Sequence, residues 1–311
     1  MDQAITATIS RYSPIMVLLL AGASPLRVHA RASADRPVGI VEQPCPAAAV
    51  AEPKASDPWL ERLLDPSQEH EIETPEATST SNYPRPAEEE RVHYDWAQLC
   101  RYRADNAALR HASGPRVVFM GDSITEFWKP AHPEFFGENY LSRGIAGQTT
   151  AQMLVRFRQD VIALKPAVVH ILGGTNDIGG NGGPTTLEAI KNNIASMVDL
   201  ATANDIRVVL GSVLPAGEFP WRPSIQEPAQ HIVELNEWLR RFARERNLFY
   251  VDYHEPLADE RDAMKQTFSN DGVHPNRDGY SVMEPLARHA IEQALASVAS
   301  AQPPKPAKNK H

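Results

Sequence analysis

Val117-Val118-Phe119-Met120-Gly121-Asp122-Ser123-Ile124 joins an unbroken apolar run to a glycine, an acid and a serine. Four apolar residues in succession, two of them β-branched, read as a strand covered on both faces. The serine hydroxyl then falls where a buried strand gives way to a turn, a place suited to a nucleophile; the plainer alternative is a serine that caps a helix. Three downstream clusters bear on the choice: Gly144-Ile145-Ala146-Gly147, Gly173-Gly174-Thr175-Asn176-Asp177 and Asp271-Gly272-Val273-His274.

Working outward, runs rich in Val, Ile, Leu, Phe and Tyr predict five strands, over residues 115–120, 139–143, 167–172, 206–213 and 248–253. Between them, apolar residues recur on one helical face: Met153, Leu154, Phe157, Val161 and Leu164; Leu187, Ile190, Ile194, Met197 and Val198; Ile232, Leu235, Leu239 and Phe242. A last helix carries Val282, Met283, Leu286, Ile291, Leu295 and Val298, with Pro285 expected to delay its start or kink it. Asp95 is placed to cap a helix through Trp96, Leu99 and Cys100 to about Leu109. Strand and helix alternating in this way predict an α/β fold, a flavodoxin-like three-layer α/β/α with a five-stranded parallel sheet. Such a sheet binds ligands at the carboxyl ends of its strands. Ser123 follows the first strand, Gly147 the second and Asn176 the third, while the Asp271 to His274 loop precedes the last helix. Four distant clusters therefore converge on one rim.

A serine hydroxyl attacks well at neutral pH only if a base takes its proton, and histidine has the fitting pKa. His274 is the candidate base. Asp271, three residues before it across Gly272, can orient the imidazole; the alternative is an aspartate that caps turn amides. An ester carbonyl under attack becomes an oxyanion, and donors set in place beforehand stabilise it. The N–H groups of Ser123 and Gly147 and the Asn176 side chain are candidates, against ordinary turn or cap roles for Gly147 and Asn176.

In order and placement, Gly121-Asp122-Ser123, Gly147, Asn176 and Asp271-x-x-His274 resemble the four motif blocks of the SGNH/GDSL hydrolase family. The likeness covers roughly residues 115 to 295, and Arg143 to Thr150 and Gly173 to Asp177 resemble its platelet-activating-factor-acetylhydrolase-like branch. It implies metal-independent ester hydrolysis with no cofactor. Ser123 would be the nucleophile, His274 the base, Asp271 its partner, and Ser123, Gly147 and Asn176 the oxyanion hole. The serine does not lie in G-x-S-x-G, so the sharp elbow of α/β-hydrolases is not the pattern.

Trp128, Phe219, Trp221 and Arg222 are read as lining a substrate pocket, and the glycine-rich stretch Gly179 to Pro184 as a loop at its edge. His170, inside an apolar strand, is expected to be a hydrogen-bonded core histidine, and His254 is a reserve base. Asp122, Arg143 and Asp177 flank the motifs as structural or substrate-facing groups. The expected substrates are short-acyl esters, with O-acetylated carbohydrate suggested by the tryptophans and by export. A lysophospholipase or acyl thioesterase is the alternative, and a non-catalytic glycan-binding module the alternative from another class.

The flanks carry a different signal. The chain's net charge of -8 is concentrated in residues 51 to 93, where eleven acids face four bases. No dense basic patch precedes the short tail with Lys305, Lys308 and Lys310, so nucleic acid is not an expected partner. Residues 31–93, rich in Pro, Ala, Ser, Thr and Glu, read as a mostly disordered acidic linker. One helix is expected in it at Pro58 to Leu64, capped by Asp57. Ile15 to Ala23 is too short to span a bilayer but suits the apolar core of a signal peptide, followed by Val28-His29-Ala30. The domain reading is thus signal peptide 1–30, linker 31–93, hydrolase domain 94–299 and basic tail 300–311, exported, with a cytoplasmic location as the alternative. Cys45 and Cys100 fit no zinc pattern, and pairing or free thiols are both open. Oligomeric state is not legible.

Overall fold

The five expected runs become five parallel strands: β1 Val117–Gly121, β2 Tyr140–Gly144, β3 Val168–Leu172, β4 Arg207–Gly211 and β5 Phe249–Val251. The computed structural model describes residues 40, 45, 53–68, 95–109 and 114–301. The expected signal peptide, most of the acidic linker and nearly all of the basic tail lie outside them. Everything below belongs to the unit that begins at Cys45.

The sheet order is β2-β1-β3-β4-β5, the flavodoxin-like order expected. Alternate residues of one strand enter different layers, because successive strand side chains point to opposite faces. Val118 and Met120 of β1 join the core beneath α4 (Thr150–Asp160), α6 (Leu187–Thr202) and α7 (Pro228–Glu245). Val117 and Phe119 join the other core, with residues of α1 (Pro58–Leu64), α3 (Ser123–Ala131) and α9 (Arg277–Ala301). Three short helices complete the set among the described residues: α2 Arg103–Ala108, α5 Thr175–Ile178 and α8 His254–Leu257.

β4 is shorter than expected because the chain beyond it is bonded to side chains. Asn236 of α7 accepts from the Val213 N–H at 2.7 Å and donates to the Val213 carbonyl at 2.9 Å. α9 begins at Arg277, eight residues before Pro285, rather than late. Pro285 lies on its exposed side, where the carbonyl left without a donor can meet water. The helix expected from Asp95 is reduced to α2. Asp95 does accept from the N–H groups of Leu99 and Cys100, at 2.6 and 2.9 Å, but Gln98 takes a φ of 54° and the backbone there turns instead of coiling.

The part of the linker that is described packs onto the domain. α1 forms where expected, with Pro58 in its first turn. The Asp57 carboxylate accepts from the Lys54 N–H, not from the helix. Leu60, Leu63 and Leu64 are buried in the second core, and the exposed ends of Glu61 and Arg277 pair at 2.7 Å. Asn270 donates to the carbonyls of Arg62, Leu63 and Asp65 at 2.7 to 3.0 Å, which supplies α1 with a C-terminal cap from across the fold. Cys45 and Cys100 are disulfide-bonded. Among the described residues, no helix is long and apolar enough to cross a membrane.

Candidate active site

Ser123 is the first residue of α3, directly after β1, and Asp122 caps that helix by accepting from the Ile124 N–H at 3.0 Å. The serine therefore stands at the positive end of a nine-residue helix, where charge building on or near its oxygen is favoured. From the loop before α9, His274 brings its Nε2 to 2.9 Å from the Ser123 Oγ, and its Nδ1 to 2.6 Å from the Asp271 Oδ2. The other Asp271 oxygen accepts from the N–H groups of Val273 and His274, at 2.9 and 2.8 Å. Asp271 thus closes the turn with one oxygen and bonds the ring with the other. Gly272 takes a φ of +78°, the left-handed conformation that lets the carboxylate and imidazole meet across so short a turn.

The electrostatics follow from burial and charge. Burial alone would lower the His274 pKa, but the charge and hydrogen bond of Asp271, with the charge of Asp122 behind them, raise it above the ordinary 6.5. For Asp271, burial disfavours ionisation, but the His274 ring together with the N–H groups of His274 and Val273 more than offsets it, so its pKa is lowered. Burial lifts Asp122 to about 6, against the pull of the Ile124 N–H and the His274 charge. Asp177 is likewise raised to about 6 by burial, while bonds from the Thr150 N–H and hydroxyl at 2.8 and 2.6 Å favour its charged form.

The other two motif residues sit on the same rim. Asn176 lies in α5 after β3, and its Nδ2 donates to Asp122 at 3.3 Å. Gly147 ends the turn after β2 with φ +78°, and a Cβ built there meets nothing within 4 Å. Backbone conformation demands the glycine, and the space beyond it is open. That turn is held by groups that sequence reading did not single out. Glu126 of α3 accepts from the Ala146 N–H at 2.7 Å and pairs with Arg101 at 2.5 Å. Arg156 of α4, fully buried, donates to the Gly121 carbonyl at 2.9 Å and to Gln148 at 2.6 Å, and pairs with Asp160. The signal was present: Arg156 shares the apolar face of Met153 and Phe157, with an acid four residues on.

Of the residues read as pocket, two are not at the surface. Trp128 is fully buried between the rings of Phe135 and Tyr280, at 5.3 and 5.6 Å, and belongs to the core. Phe219 is also fully buried and backs Trp221 at 5.2 Å. The Trp221 ring itself is half-buried, 6.1 Å from that of His274, and exposed Arg222 donates to the Gly180 carbonyl at 2.8 Å. Phe127 also approaches the His274 ring, at 5.4 Å, with Trp59 of α1 against it. His170 is the expected core histidine: it bonds the Tyr253 hydroxyl at 2.8 Å, and burial lowers it to about 3. His254 starts α8 with its N–H on the Ser212 hydroxyl and has no contact with Ser123 among those described. Arg143 lies buried against the Tyr102 ring and donates to the Ser142 carbonyl and to Asn106, a structural place.

The sequence profile of the GDSL-like Lipase/Acylhydrolase family matches residues 119–282, more than half of the chain. The chain belongs to this family. Membership places this GDSL-like protein among hydrolases of ester bonds. A GDSL-like lipase from Bacteroides thetaiotaomicron is similar in structure, with TM-score 0.63 and 47% identity over 65% of this chain and 100% of that one. An acylhydrolase-like protein from Bacteroides fragilis is similar with TM-score 0.63 and 46% identity, over 65% and 99%. An acetylxylan esterase from Geobacillus stearothermophilus is 28% identical over 95 residues, which span 22% of the GDSL-like chain and 43% of that relative.

Proposed function

We propose that this protein is a serine esterase that cleaves short-acyl carboxylic esters through an acyl-enzyme. The observation that carries the reading is the continuous line from the Ser123 Oγ to the His274 Nε2, and from the His274 Nδ1 to Asp271. In this mechanism the Ser123 oxygen attacks the ester carbonyl carbon as its proton passes to Nε2, while Asp271 holds the imidazolium. The carbonyl oxygen, now charged, is met by the N–H groups of Ser123 and Gly147 and by the Asn176 amide. Collapse breaks the bond to the alcohol oxygen, which leaves with the proton from Nε2. Water then repeats the sequence: it gives a proton to His274, attacks the acyl carbon, and the acid departs as Ser123 regains its proton.

A small acyl group is favoured by Trp221, whose ring stands beside His274 and whose Nε1 reaches Asn181, a partner of Asn176, so it bounds the space between base and donor. O-acetylated carbohydrate is supported as a substrate by the likeness to an acetylxylan esterase and by Trp221, which can stack on a sugar face. Trp128, sealed in the core, takes no part. Export fits the disulfide between Cys45 and Cys100, since such bonds persist in oxidising compartments.

The test is an ester panel from acetyl to long acyl, including acetylated xylan and a lysophospholipid, together with a fluorophosphonate probe. The wild type should hydrolyse acetyl esters and take the label, and Ser123→Ala should do neither. Preference for long chains or thioesters would move the reading to a lysophospholipase or thioesterase. Absence of label on the wild type would leave a binding module.

A further inference from the structure

An asparagine amide can turn end for end at little cost, and only one of its two orientations offers N–H to an oxyanion. Something must therefore choose the orientation of Asn176. Its Nδ2 faces the Asp122 Oδ2 at 3.3 Å, and its Oδ1 receives the Asn181 Nδ2 at 2.5 Å. Asn181 has the same ambiguity, but its Oδ1 receives the Trp221 Nε1 at 3.1 Å. An indole N–H can only donate and an ionised carboxylate can only accept. The two amides between these fixed ends can then point one way only.

We propose that Asn181 is a positioning residue for the oxyanion donor Asn176, and that the indole N–H of Trp221 sets Asn181 in turn. The inference rests on the assignment of Asn176 as an oxyanion donor. The relay ties α5 and the glycine-rich loop that continues it to the loop after β4, some forty residues further along the chain. The loop is also held by the Asn181 N–H on the Asn176 carbonyl at 2.9 Å, by the Gly180 N–H on the Asp177 carbonyl at 3.0 Å and by Arg222 on the Gly180 carbonyl. Bonds to its backbone groups thus place the loop, and the side-chain amide of Asn181 is left to set polarity. Since Trp221 also stands beside the His274 ring, a substrate that displaces the indole would disturb the donor as well as the base. The device couples what occupies the mouth of the site to the quality of its oxyanion hole.

A double-mutant cycle on p-nitrophenyl acetate hydrolysis tests this. Asn176→Ala should lower kcat by roughly 10²–10³, the scale of one lost oxyanion donor. Asn181→Ala should lower kcat by about 10-fold or more with little change in KM, because a displaced donor costs part of what an absent one costs. In the Asn176→Ala background, Asn181→Ala should have no further effect. Asn181→Asp keeps the acceptor for Trp221 but cannot donate to Asn176, so it should be as impaired as Asn181→Ala. Trp221→Phe keeps an aromatic ring, smaller than the indole and without its N–H, and should show a smaller kcat loss that also vanishes with Asn176→Ala. Equal losses from Asn181→Ala in both backgrounds, or full activity in Asn181→Asp, would overturn the inference. A wild-type kcat in Asn176→Ala alone would instead overturn the assignment of Asn176 on which it rests.

Discussion

At residue scale, His274 is held between opposing pressures, and their balance sets a pH dependence. Burial favours the neutral ring, while Asp271 and Asp122 favour the charged one and win, so the pKa lies above 6.5. In the proposed mechanism the base works only when neutral. The acid limb of kcat/KM should therefore fall with an apparent pKa above 6.5, and Asp122→Asn, by removing one of the charges that raise it, should move that limb to lower pH. A pH profile of each enzyme on one acetyl ester checks this, and a limb that stays in place would discount the Asp122 charge. That Ser123, His274 and Asp271 meet was legible because the short spacing of Asp271 and His274 restricts the geometry and the sheet brings both to the rim where Ser123 stands. Trp128 was misread because a tryptophan near a motif looks the same in sequence whether it faces substrate or stacks between Phe135 and Tyr280. Asn181 was hidden among glycines, where its side chain gives no periodic signal.

At the scale of elements, all five strands were legible as short runs rich in Val, Ile, Leu, Phe and Tyr, and their ends erred where side chains take over from the ladder, as Asn236 does at Val213. α1 was legible as a helix but not as a part of the core. Its Leu60, Leu63 and Leu64 sit in an acidic, proline-rich setting that reads as solvated, and only the second layer of the fold shows where they go. Its cap, Asn270, immediately precedes Asp271, so the helix and the acid–base loop share one anchor. Asn270→Ala strips α1 of its buried cap donor and should cost about 1–3 kcal/mol of stability. Arg277→Ala, which removes only the partly exposed ion pair to Glu61, should cost less than about 1 kcal/mol. Chemical denaturation of both variants checks the ordering, and the reverse order would mean that α1 is held by its charges and not by its cap.

At the scale of the whole molecule, the parallel sheet and the rim it creates followed from alternating strand and helix patterns, because a parallel crossover needs a helix between each pair of strands. The disulfide did not follow, since Cys45 and Cys100 are separated by 55 residues and spacing alone does not select pairing over free thiols. In the chain-entropy account a loop of that length stabilises by at most about 4 kcal/mol, so reduction should lower the denaturation midpoint measurably. α1 lies within the loop that the two sulfurs close. A single cut in the backbone between Gln68 and Asp95 would consequently divide the polypeptide without releasing either portion. A protein carrying an engineered protease site there should run as one band without thiol and two with it, and its α1 portion should stay docked until the bridge is opened. The covalent bond thus makes the brace behind the acid–base loop indifferent to the integrity of the chain that connects it.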